Sequence, residues 1–512
     1  MKNKLFFPYL LLFGLLVTTG CKKFLDRQPL QATLDDLKVG GIEGQIFGLY
    51  GTLRDQDGGG AGIGFNSLGW MGMHALRSDD QEVIADPTAG TSHAAFDEYG
   101  YNKDLWASNS YWDDHYKLIN LANTAIQTAD TLKLTDPSSL TNVGEAKFLR
   151  AFSYFDLVRS YGRVPKIDFR VFKPEDAQIK KVDNESEIFA LIDADLTFAE
   201  SNLPFNWNSA SGISKYPGRI TSGAAKTLHA KTYLWRKQWA QALGLCNSIM
   251  SSVQYNLHSP YWEIWKTSQE NNEESIFEIQ ALQTAGAKIN YYCYFATSQG
   301  IRGPQGSEWD LGWGWNTPTQ AIVDAYEAGD PRKNATILVS GQSDGGPTTG
   351  GYGKILPDKS SLSGTTYWNK KCYADPAEQA AIGTPHGNGF ANMRVYRYAD
   401  VILMAAEAAN ESGDGATAAT LLEKIRARAR NGNSGVLPYI AFTSQTQMRN
   451  AIKHERRIEF ALEGERFFDL VRWGDADAVL QPLGYIPKNH YYPIPQSAID
   501  NNTKLVQNPD YQ

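Results

Sequence analysis

Trp309, Trp313 and Trp315 fall within seven residues in the stretch EWDLGWGWN, separated by glycines that cannot build a core of their own. Large apolar rings in such a loop are costly to leave bare unless a ligand or partner covers them. Flat rings suit the apolar faces of sugars, and nearby Asn, Asp or Arg side chains can hydrogen-bond hydroxyls. Trp313 and Trp315 are one glycine apart, so in an extended segment both rings point the same way and form a platform. A second candidate group comes earlier in the chain. Trp106 and Asn109 lie in the polar stretch NKDLWASNSYW, and Arg77 and Asp79 follow an apolar segment, where a chain would emerge at a surface. The competing reading for each of these tryptophans is ordinary packing. For Trp112, Trp262 and Trp265, which sit in helix-like patterns, packing is the better reading.

Catalytic patterns do not present themselves. The sequence holds no HExxH, GxSxG, paired CxxC or Walker loop. Its eight histidines are scattered singly from His74 to His490, and pairs such as Asp79–Asp80, Asp113–Asp114 and Glu273–Glu274 fit solvated faces. A glycosidase needs two carboxylates across a sugar ring, and nothing in the spacing marks such a pair. The expectation is a binding protein rather than an enzyme, with no cofactor and no metal.

The elements that must position these residues are mostly helical. With 512 residues, 42% of them hydrophobic, the chain can bury a substantial core, and its formal charge of −7 argues against a nucleic-acid partner. Helical patterns are expected near residues 35–52, 111–132, 233–251 and 401–430. Ala146-Lys147, Leu149, Ala151 and Tyr154 recur as Ala225-Lys226, Leu228, Ala230 and Tyr233, an alternation of small and bulky residues that lets helices approach closely. Between about 260 and 390 the composition turns to Gly, Pro, Ser, Thr and aromatics, with helix expected only at 317–328 and a strand at 275–279. A glycine-rich loop at 57–64 lacks the ending of a phosphate loop. The stretch Met448–Gly474 is apolar on more than one side, which marks a buried helix. Arg456–Glu459, Glu463–Arg466 and Asp469–Arg472 are each three apart and are expected to pair locally, with a break at Gly464.

ERRIEFALEGERFFDLVRWG, followed near the C-terminus by YYPIPQSAIDNNTKLVQNPDY, resembles the SusD/RagB family of Gram-negative surface lipoproteins. YWDDHYKLINLANTAI, NNEESIFEI, Asp330-Pro331-Arg332 and RYADVILMAAEA fall in the family's order. The N-terminus fits the same picture. Lys2 and Lys4 precede an apolar run of signal-peptide length, and VTTGC resembles a lipoprotein cleavage box that would leave Cys21 lipidated. The resemblance implies a mostly α fold: a tetratricopeptide-like scaffold of helical hairpins with a loop-rich, aromatic-lined insertion and few short strands. Its expected divisions are a signal peptide (1–20), a lipidated tether (21–34), an N-terminal helical region (35–260) and a C-terminal region (261–512) holding the insertion at 280–390. It further implies an outer-membrane protein, facing the cell exterior, that binds oligosaccharide and delivers it to a SusC-like TonB-dependent transporter. The ligand residues would be Arg77, Asp79, Trp106, Asn109, Trp313 and Trp315, by region rather than by motif. A peptide-binding RagB-type protein and, less favoured, a surface glycoside hydrolase are the alternatives.

Overall fold

The computed structural model describes residues 37–54, 68–84, 91–207, 216–287, 290–383 and 389–512. Cys21 and the glycine-rich loop at 57–64 lie outside them. The first helices are α1 (Leu37–Thr52), α2 (Leu68–His74), α3 (Thr91–Asp97), α4 (Trp106–Leu132), α5 (Pro137–Tyr161) and α6 (Ser186–Asn202). They continue as α7 (Ser222–Trp235), α8 (Trp239–Ser251), α9 (Tyr294–Gln299), α10 (Gln320–Ala325), α11 (Pro331–Thr336) and α12 (Pro376–Ile382). The C-terminal third adds α13 (Tyr398–Glu411), α14 (Gly415–Arg430), α15 (Gln445–Glu459), α16 (Arg466–Trp473), α17 (Ala476–Leu480) and α18 (Gln496–Asn501).

Short connections make the long helices fold back on one another, and local chemistry sets their ends. Asp136 accepts a hydrogen bond from Ser139 N ahead of Pro137, Thr221 from Ala224 N, and Asp414 from Thr417 N. Such N-caps satisfy backbone N–H groups left without partners in the first turn. Lys133, Gly413 and Asn431 take left-handed backbone angles in the turns that follow α4, α13 and α14. The recurring alanines then do what their size allows: Ala146, Ala151, Ala225 and Ala230 are fully buried where α4, α5, α6, α7 and α8 pack in succession. Helix α8 packs on α13, and α13 on α14 and α15. One apolar core therefore runs from Ile46 through Leu505.

The strands are short and pair antiparallel: β1 (Gln81–Glu82) with β5 (Thr317–Pro318), β2 (Ser275–Ile279) with β8 (Met393–Arg397), β3 (Leu282–Gln283) with β4 (Asn290–Tyr291), and β6 (Ile337–Val339) with β7 (Tyr367–Asn369). The β2–β8 pair joins the two halves of the chain across the insertion. The insertion has a small core of its own around Ile301, Leu311, Leu338, Trp368 and Tyr373. Trp309 is buried in that core, whereas Trp315 is half-buried against the main core and Trp313 is half-buried.

Three expectations are corrected. Helix α4 begins at Trp106, not near Tyr111, so Trp106 and Asn109 sit on its first turn. The helix expected at 317–328 shrinks to α10, because Thr317 and Pro318 pair with β1. In Met448–Gly474 only Asp469–Arg472 forms among the expected local pairs, at 2.7 Å. Arg456 instead holds Asp400 (2.8 Å) and Asp469 (2.9 Å), Glu459 holds Arg397 (3.1 Å), Arg428 (2.5 Å) and Arg332 (3.2 Å), and Arg466 holds Asp79 (2.8 Å). These charges are buried, and a buried charge needs several close partners, which other elements supply. The break at Gly464 is present: its φ is +80°, and a Cβ there would lie 2.6 Å from the Trp70 ring.

Candidate functional site

After β4 the chain continues through Tyr292 into α9, and residues 309–315 return alongside it. Gly303 N donates to Trp309 O (2.9 Å), Leu311 N to Ile301 O (3.0 Å), Trp313 N to Thr297 O (2.7 Å) and Trp315 N to Ser298 O (2.8 Å). The approach is close enough to require glycine on both sides. A Cβ on Gly300 would lie 2.6 Å from Leu311 O, and one on Gly312 would lie 2.6 Å from Gly300 Cα. Gly314 has a φ of +64°, so the segment does not alternate as an extended strand.

The two indoles consequently lean on each other, with ring centroids 4.4 Å apart and planes 32° apart. Tyr294 stacks on Trp313 at 5.3 Å and 23°, Tyr292 touches Tyr294 at 4.4 Å, and His93 meets Trp315 edge-on at 4.5 Å. Tyr292, Tyr294, Trp313 and Trp315 are each half-buried. The result is a pile of partly open rings rather than two indoles side by side. The Tyr292 hydroxyl shares a hydrogen bond with Thr297 Oγ1 at 2.8 Å, and burial pushes it up to about 12. At the hairpin end Arg54 lies over the ring of Tyr291, 4.5 Å from its centroid, and that ring is 50% exposed. Sequence reasoning passed over these tyrosines, although three of them within four residues, in the run YYCY, are a legible signal.

The early segment does reach the insertion, through β1–β5 and through Thr319 N donating to Asp80 O (3.0 Å). The residues expected to read a ligand there are used differently. Arg77 is fully buried, with its guanidinium 3.7 Å from the centroid of Phe467 and 4.4 Å from that of Tyr492, and it donates to Met73 O. It is a core cation and has no open donor to offer. Asp79 is gripped by Arg466 (2.8 Å) and Arg457 (2.9 Å). Burial raises its pKa, but the Arg466 hydrogen bond and charge outweigh that and hold it below the usual carboxylate range. Its neighbour Asp80, more deeply buried and repelled by Asp79, is pushed up instead. Both carboxylates fasten β1 to α15 and α16.

Trp106 is 43% exposed on the first turn of α4. Asn109, one turn on, has a buried Oδ1 with no donor among the described residues, so its carbonyl faces inward. Among the described residues no group of His, Cys, Asp and Glu could hold a metal ion, and no helix is long and apolar enough to cross a membrane. Cys246, Cys293 and Cys372 are buried free thiols.

A family model described as the SusD family matches residues 273–511, and one described as starch-binding, associating with outer membrane, matches residues 74–234. SusD-like protein P2 of Formosa agariphila is 26% identical over 466 residues, covering 85% of this chain and 87% of its own. A solved laminarin-binding SusD-like protein is 29% identical with a TM-score of 0.74, over 92% of this chain and 99% of that one. Surface glycan-binding protein A from Bacteroides fluxus is 25% identical with a TM-score of 0.73, over 92% and 99% of the two chains. By its two family matches and its helical scaffold, the chain belongs to the SusD/RagB family.

Proposed function

We propose that this chain captures oligosaccharide on the ring pile of Tyr292, Tyr294, Trp313 and Trp315, with Trp106 and the Arg54–Tyr291 pair at its margins, and passes it to a SusC-like TonB-dependent transporter. The observation that carries the reading is the pile itself. Four half-buried aromatic rings meet there, Trp313 and Trp315 on the backbone-paired strip 297–315 and Tyr292 and Tyr294 just ahead of it, a rigid base of the kind that keeps a binding site in shape. A laminarin-binding relative at 29% identity makes laminarin the first ligand to try. Arg77 and Asp79 drop out of the ligand set. Trp106 stays as a face and Asn109 as a neighbour of it. Lipidation of Cys21 would hold the protein at the cell exterior.

The test is a glycan array followed by calorimetric titration of Trp313→Ala and Trp315→Ala. Ring contacts of this kind contribute about 1–2 kcal/mol each, so each variant should bind roughly tenfold more weakly or worse while remaining folded. A large fall in melting temperature with unchanged affinity per folded molecule would return both residues to the core and refute the site.

A further inference from the structure

A second cleft opens elsewhere in the loop-rich region, with a volume of about 740 Å³, between the turn at 261–269, the loop 344–354 and the start of α12. That size lies within the range of small-ligand sites. Trp262 lines it, half-buried against Tyr261 and Ile264. Unlike the tryptophans of the pile, it has no stacked ring among the described residues. Beside it Lys266 is held in place without being neutralised. Its ammonium donates to Gly350 O at 2.6 Å and sits 3.6 Å from the centroid of Tyr352, and no carboxylate lies within ion-pair distance of it among the described residues. Burial and the nearby charge of Lys370 push it down to about 8. Asp375, Ser268 and Gln269 complete the wall.

The walls are firmly built. Tyr261 donates to Glu459 O (3.0 Å), and Lys371 (4.7 Å) and Arg397 (5.2 Å) lie over the Trp265 ring, which fastens the turn to the buried ion pairs. On the other side Asp344 accepts from Gly346 N (3.0 Å), Tyr352 N (2.6 Å) and Gly353 N (3.1 Å), closing the loop on itself. A half-exposed indole beside fixed donors and acceptors of both signs matches a ligand with one apolar face and many hydroxyls. A strongly anionic ligand fits less well, because Glu263, Glu308 and Asp375 also line the cleft.

We infer that the Trp262–Lys266 cleft is a second glycan site, taking a short neutral oligosaccharide with one sugar ring on Trp262 and hydroxyls on Lys266, Asp375 and Gln269. This rests on the reading of the chain as a glycan binder, and the test separates the two. A hexasaccharide identified on the array, with laminarin- and starch-derived hexasaccharides tried first, is titrated calorimetrically into wild type, Trp313→Ala, Trp262→Ala and Lys266→Ala. Two sites per molecule are expected in wild type, with Trp262→Ala and Trp313→Ala each removing a different one and Lys266→Ala weakening the Trp262 site about tenfold. Lys266→Ala leaves the packed indole in place, so it decides the matter if Trp262→Ala does not fold. A single site that is lost in Trp313→Ala and untouched by Trp262→Ala or Lys266→Ala would overturn this inference alone. No binding by any glycan on the array would overturn both readings.

Discussion

At the scale of single residues, Gly314 decides what the two indoles can do. Its φ of +64° is costly for any residue with a Cβ, and a Cβ there would lie 2.9 Å from both Arg302 Cβ and the ring of Trp368. Trp368 is fully buried, with Nε1 donating to Ser340 Oγ at 3.0 Å, so it cannot yield. Gly314→Ala should therefore cost about 2 kcal/mol or more and weaken glycan binding by turning Trp313 against Trp315. Thermal unfolding and titration of the same variant check this, and an unchanged melting temperature would contradict the backbone angle. The identity of the rings was legible in the sequence, but their arrangement was not. Spacing by one glycine suggests parallel side chains only if the backbone is extended, and the pairing with 297–303 decides otherwise. Arg77 shows the same limit. Its position after an apolar segment suggested a surface, whereas Phe467 and Tyr492, distant in the chain, cover it.

At the scale of elements, the α15–α16 stretch is a clamp of buried charge. Glu459 is fully buried and receives Arg332, Arg397 and Arg428 from three separate elements. Burial by itself would raise its pKa; the three guanidinium groups reverse that and hold it well below the usual range. Removing one member of a buried network strands the others. Glu459→Gln should thus destabilise the fold by about 3–5 kcal/mol, read from urea unfolding. The sign with pH follows from the depressed folded value. The contribution is present above the ordinary carboxylate pKa of 4.5 and is lost as pH falls below it, so the variant should lose less stability than wild type between neutral and acid pH. The helix, its burial and the break at Gly464 could be read from composition and periodicity. The choice of partners could not, because a separation of three residues describes a surface helix in water, whereas these charges are paid for by elements up to 387 positions away, as in Arg466 with Asp79.

At the scale of the whole molecule, the binding sites and the attachment to the membrane are separate pieces of the chain. The ring pile stands between β2 and β8, and the Trp262 cleft lies between the turn just before β2 and that same region, while the expected anchor is Cys21, ahead of the helical scaffold. The proposed attachment is by acyl chains on Cys21, which would bind by burying their methylene groups in the bilayer. Cys21→Ala should move the protein from the membrane fraction to the soluble one and leave glycan affinity unchanged. Loss of the anchor should also weaken co-purification with a β-barrel transporter, because two proteins held to one membrane meet at a far higher effective concentration than two free in solution. The measurement is gentle detergent extraction from cells grown on the ligand, comparing wild type with Cys21→Ala. Recovery of the lone lipoprotein from wild-type cells would refute the transporter partnership, and a Cys21→Ala protein still in the membrane fraction would refute the anchor.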